Sequence, residues 1–120
     1  MVGACNNSDV KTVPIPEQEK QLRELISQYP DSFLLKENLV QYFRDNGNYD
    51  KAISETDKAL KKDSLNSRLL DIKATLHFEN GDTTDAIRSF EKAISIDPKP
   101  EYIISLGSLY AQTKNPVALE

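Results

Sequence analysis

Few side chains in this sequence are equipped for chemistry: Cys5 is its single cysteine and His77 its single histidine. A catalytic histidine needs a nucleophile to serve and a carboxylate to orient it. No Ser, Cys or Asp can be assigned to His77 from the sequence, so a packed or half-exposed structural histidine is expected. The run Asp82-Thr83-Thr84-Asp85 resembles a loose cation loop. It lacks the spacing and the bidentate Glu of a calcium loop, and capping of a following helix accounts for each of its residues. One cysteine forms no intrachain disulfide or multi-Cys zinc site, and one histidine forms no His cluster. No catalytic residue, metal or cofactor is therefore expected. Cys5 keeps three readings: an accident of composition, a reactive thiol, or an attachment point.

Composition narrows the function classes further. The 120 residues suffice for one domain or a few stacked repeats, and 15 Lys and Arg against 19 Asp and Glu leave a net charge of −4. A nucleic-acid binder needs a surplus of cations gathered on one face, so that class is not expected. No run approaches the ~18 apolar residues that cross a bilayer. The residues up to Cys5 are too few for a complete signal peptide.

These residues sit on a helical pattern with an internal period. Residues 1–16 are polar, broken by Pro14 and Pro16, and read as a flexible tether. From Glu17, the residues Leu22, Leu25, Ile26 and Tyr29 recur at helical spacing until Pro30, with mixed charges filling the solvated face. Laying residues 33–66 over 67–100 without a gap pairs Asn46-Gly47 with Asn80-Gly81, Ala52-Ile53 with Ala86-Ile87, Lys58-Ala59 with Lys92-Ala93, and Asp63 with Asp97. Pro30, Ser64 and Pro98 share that register. The array divides into a half repeat over 17–32, repeats over 33–66 and 67–100, and an incomplete repeat over 101–120. A chain that both begins late and ends in mid-repeat would be a fragment of a longer array.

Within each unit the pattern predicts two helices and a glycine turn. Helices are expected at about Ser32–Asp45 and Asn66–Glu79, burying Leu35, Leu39, Val40 and Phe43, then Leu69, Leu70, Ala74 and Leu76. The helices after the glycines carry Ala52, Ile53, Thr56, Ala59 and Leu60, then Ala86, Ile87, Phe90, Ala93 and Ile94, at matching offsets. The third unit places Tyr102, Ile103, Leu106, Leu109 and Tyr110 in a register that runs one residue early.

A helix–turn–helix unit of 34 residues with a turn glycine, two alanines seven apart, an aromatic between them and a closing Asp-Pro resembles the tetratricopeptide repeat (TPR) family. The match is clearest from Ala74 through Asn80-Gly81-Asp82, Ala86, Phe90, Ala93 and Asp97-Pro98. Thr56, Ser64, Lys73 and His77 depart from the family pattern. The resemblance implies an all-α solenoid over 17–120, a right-handed superhelix whose concave face holds a partner peptide or helix. Carried onto this chain, that face comprises Leu34, Glu37, Asn38, Gln41, Arg44 and Asp45, then Arg68, Asp71, Thr75, Phe78 and Glu79. It leans acidic. Glu37 and Gln41 stand where one TPR subclass uses basic or amide groups to clamp a C-terminal carboxylate, which argues against that ligand.

Val2-Gly3-Ala4-Cys5 resembles the end of a bacterial lipobox, and Asn6-Asn7-Ser8-Asp9 a lipoprotein tether. The expectation is a non-enzymatic scaffold for another protein, lipid-anchored through Cys5 on the bacterial envelope. The rival readings are an accessory TPR domain of a larger enzyme or transport component, and a cytoplasmic adaptor.

Overall fold

The computed structural model describes residues 15–113, and the described residues form six helices. They are α1 (Ile15–Gln28), α2 (Phe33–Asp45), α3 (Tyr49–Lys62), α4 (Ser67–Glu79), α5 (Thr83–Ile96) and α6 (Pro100–Gln112). α1 begins at Ile15, two residues ahead of the expected start at Glu17. Pro16 falls in its first turn, where a missing backbone N–H breaks no helical hydrogen bond.

Three of the helix starts are capped as polar residues at those positions dictate. Ser32 Oγ accepts from Leu35 N at 3.2 Å, Asn48 Oδ1 from Lys51 N at 3.3 Å, and Asn66 Oδ1 from Leu69 N at 3.1 Å. Asp82 departs from the expected capping role. Its side chain makes no cap bond; it accepts from Asn80 Nδ2 at 3.1 Å and lies 3.4 Å from His77 Nδ1. His77 thus has an Asp neighbour that sequence spacing did not assign.

Gly47 and Gly81 carry φ of +73° and +87°, and a Cβ at either would meet nothing within 4 Å. The demand for glycine there is conformational and not steric. Each lets the chain leave the first helix of a repeat and double back as the second.

Each helix packs chiefly on its sequence neighbours, giving an elongated body of 62 × 32 × 21 Å. Its radius of gyration of 17.6 Å exceeds the about 14 Å of a compact domain of this length. This is the geometry of a solenoid, whose core is a chain of junctions. One junction gathers Leu39, Val40, Tyr42, Phe43, Ala52 and Leu76, with Leu22 and Ile26 of α1 against it. A second holds Ala74, Ala86, Phe90 and Leu109, and a third Leu70, Ala93 and Tyr102. Ala52, Ala74, Ala86 and Ala93 are all fully buried, because a methyl group at the crossing lets two backbones approach closely.

Thr56 occupies the position that Phe90 holds one repeat later, and it too is fully buried. Its hydroxyl donates to Ala52 O at 2.8 Å, so the polar atom is satisfied within its own helix. Not every expected core residue is covered. Leu25 of α1, Tyr29 just past its end and Ile103 of α6 are exposed, while Tyr42, absent from the sequence-derived core, is buried edge-on against Phe43.

Candidate protein-binding groove

The first helices α2, α4 and α6 open at Phe33, Ser67 and Pro100, at intervals of 34 and then 33 residues. The short second interval is the register slip seen in the sequence. It makes Glu37 equivalent to Asp71, Arg44 to Phe78, Arg68 to Glu101, and Glu79 to Gln112.

The seam between α2 and α4 is closed by two forked ion pairs. Arg68 donates to both carboxylate oxygens of Glu37 at 2.6 and 3.0 Å. Arg44 donates Nε to Glu79 Oε1 at 2.8 Å and its terminal nitrogen to Glu79 Oε2. Hydrogen bonding to Glu79 raises the pKa of Arg44, and hydrogen bonding to Glu37 raises that of Arg68. Planar guanidinium and carboxylate groups match two bonds at once. Gln41 is turned along its own helix, donating to Asp45 at 2.6 Å. Leu34 and Asn38 are exposed on the same helix.

The seam between α4 and α6 carries no such ladder. It holds a pocket of about 260 Å³ lined by Thr75 and Phe78 of α4, Phe90 of α5, and Ile104, Ser105, Ser108, Leu109 and Gln112 of α6. Phe90 and Leu109 form a buried floor, whereas Phe78 is 41% and Ile104 67% exposed. Thr75 Oγ1 is spent on Asp71 O at 3.0 Å. One turn toward the start of α4 lies Asp71, half-buried and without an ion pair or side-chain hydrogen bond among the described residues. Burial raises its pKa, and the charge of Glu101 adds to the rise, against Arg68 and Lys99.

The eleven residues that the sequence placed on the concave face thus lie on α2 and α4, and the ion pairs tie those two helices together. The share of α6 was missed: Ile104, Ser108 and Gln112. Applying the one-residue slip to the third helix reaches them. Cys5 lies outside the described residues.

A separate groove of about 710 Å³ runs between α3 and α5, and Lys73 and His77 line it. Lys73 Nζ meets Asp57 there at 2.7 Å. These two departures from an apolar repeat pattern are therefore polar because they face an open groove. Among the described residues no three His, Cys, Asp or Glu side chains come together as a metal site. No helix among them is long and apolar enough to cross a membrane.

A tetratricopeptide repeat profile matches residues 19–67 and 37–102, and the chain belongs to the tetratricopeptide repeat family. Solved structures share the fold. A tetratricopeptide repeat protein from Parabacteroides merdae superposes with a TM-score of 0.72 at 25% identity, over 87% of this chain and 42% of that one. MamA 41-end from Desulfovibrio magneticus RS-1 superposes with a TM-score of 0.71 at 13% identity, over 88% of this chain and 60% of that one. The chain thus spans less than two thirds of either neighbour. No curated protein sequence matches it.

Proposed function

We propose that this chain is a non-enzymatic scaffold that holds a segment of another protein along the concave side of its first helices. The observation that carries this reading is the α4–α6 seam, where Phe78 and Ile104 stand exposed beside a pocket floored by Phe90 and Leu109. Exposed apolar groups gathered at a concavity, rimmed by polar ones, are the usual mark of an interaction site. Membership of a repeat family that builds concave binding surfaces from small per-repeat rotations supports the same reading.

The test is recovery of partners on the intact protein and on a Phe78→Ala, Ile104→Ala variant. Both side chains are partly or largely exposed, so the variant should keep its helical circular dichroism. Arg44→Glu is a poorer probe, because it would set two carboxylates against each other at Glu79. Loss of specific partners from the variant is expected; equal recovery by both proteins removes the concave face as the binding site.

The address is a further part of the proposal. Cys5 becomes the lipid-bearing residue of a bacterial envelope lipoprotein, a reading supported by Val2-Gly3-Ala4 before it and the polar Asn6-Asn7-Ser8-Asp9 after it. Two acyl chains at one site give stable anchoring where one is marginal. Expressed from its natural reading frame in a bacterium fed labelled palmitate, the protein should take up label, and Cys5→Ser should not. Absence of label in both removes the anchor.

A further inference from the structure

The α4–α6 seam says more about its occupant than that it is a protein segment. In the closed seam, the positions of Glu37 and Arg68 hold opposite charges that pair at 2.6 Å. The equivalent positions in the open seam hold Asp71 and Glu101, which repel, and the equivalents of Arg44 and Glu79 are the uncharged Phe78 and Gln112. The open seam therefore lacks a cation at the place where its neighbour has one, and it exposes an aromatic where its neighbour has a salt bridge.

An acidic partner finds little to hold it here. Among the described residues at groove positions the cations are Arg44 and Arg68, and Glu79 and Glu37 already occupy both forks. The carboxylates of Asp71 and Glu101 have no such forked partner: Arg68 and Lys99 lie near enough to act on Asp71, but Arg68 is engaged by Glu37 and Lys99 lies 3.7 Å from Asp97, so a half-buried carboxylate beside a second one still gains from a cation brought to it. Asp71, Thr75 and Phe78 rise along one side of α4, so the carboxylate pair sits one to two helical turns, about 5–11 Å, from the apolar pocket.

We propose that this seam receives a protein segment presenting a Lys or Arg one or two helical turns from an apolar side chain. The cation lies between Asp71 and Glu101, and the apolar group enters the pocket of Phe78 and Ile104. This deepens the scaffold reading and rests on it. It fits a partner helix with one basic and one apolar group on the same face, at a spacing of about three to seven residues.

The test is to pan a random-peptide display library on the intact protein and to measure enriched peptides by fluorescence anisotropy. Enriched sequences should pair Lys or Arg with Leu, Ile, Phe or Met at that spacing. Their affinity should fall about tenfold in Glu101→Arg, which supplies the seam with its own cation, and in Ile104→Ser. Glu24→Arg makes the same charge change on α1 and should leave affinity unchanged. If enriched peptides are acidic or lack the basic–apolar pair, or if Glu101→Arg binds them as well as the parent does, this inference falls. The scaffold reading survives that result provided Phe78→Ala, Ile104→Ala still loses them. Peptides that bind that double variant undiminished overturn both, and a library that yields no enrichment overturns the inference.

Discussion

The two seams between successive first helices use the same register positions and reach opposite outcomes. Between α2 and α4, two forked arginine–glutamate pairs spend the polar groups on the protein itself. Between α4 and α6, those positions hold a pair of carboxylates, an exposed Phe78 and an open pocket. A repeat array can thus hold its shape at one step and leave the next one unsatisfied. On the proposed reading the unsatisfied step is where a partner has most to gain, since Arg68 and Lys99 only partly offset the burial of Asp71 and its repulsion by Glu101.

The contrast can be broken most forcefully by removing the floor of the open seam. Leu109 is 3% exposed and packs with Ala74, Ala86 and Phe90. Leu109→Ala should cost about 2–5 kcal/mol in urea unfolding and speed amide exchange over α6 before the rest of the array. Ala86→Leu approaches the same junction from the other side, and overpacking a site with no exposure should cost about 1–3 kcal/mol.

Smaller effects distinguish the seams themselves. A double-mutant cycle on Arg44 and Glu79, each replaced by Met, should give a coupling of about 0.2–1 kcal/mol, the range for partly exposed ion pairs. High salt should reduce it. Glu101→Arg transplants the closed seam's charge pattern onto the open one, and should raise the unfolding free energy by a fraction of that amount while weakening the binding of the proposed partner. A change that stabilises the fold and costs binding would mark the repulsion at Asp71 as functional.

The smallest effect is a pH dependence whose sign follows from the raised pKa of Asp71. A carboxyl whose folded pKa lies above its unfolded value holds its proton more tightly in the fold, so its contribution to stability is lost as pH rises through that interval. Asp71→Asn should therefore raise the melting temperature slightly at neutral pH. It should change nothing at a pH below the ordinary carboxylate range, where the side chain is protonated folded and unfolded. A gain of equal size at both pH values would assign the effect to packing.

Much of the scaffold is legible in the sequence because it depends on local rules. The 34-residue period, the positive-φ glycines and the buried alanines follow from turn conformation and helix crossing, which recur at fixed offsets. The departures were visible as departures, but their reasons were not. Thr56 is tolerated because its hydroxyl turns back to Ala52 O, Asp82 leaves its capping place for Asn80 and His77, and Lys73 faces a groove. Each depends on where a side chain finds a partner, which spacing alone does not state.

The eleven face residues named from the repeat register do sit on α2 and α4, yet the register could not say that Arg44 and Arg68 are engaged. Nor did it carry the face on to Ile104, Ser108 and Gln112. By itself, then, the sequence determined the all-α solenoid, its family and the placing of its turns, since periodicity and glycine conformation are properties of the chain. Only the tertiary structure decided which seam is closed and which is open. That distinction rests on residues 31 to 35 positions apart meeting across neighbouring helices, where charge and burial are set by the partner each side chain finds.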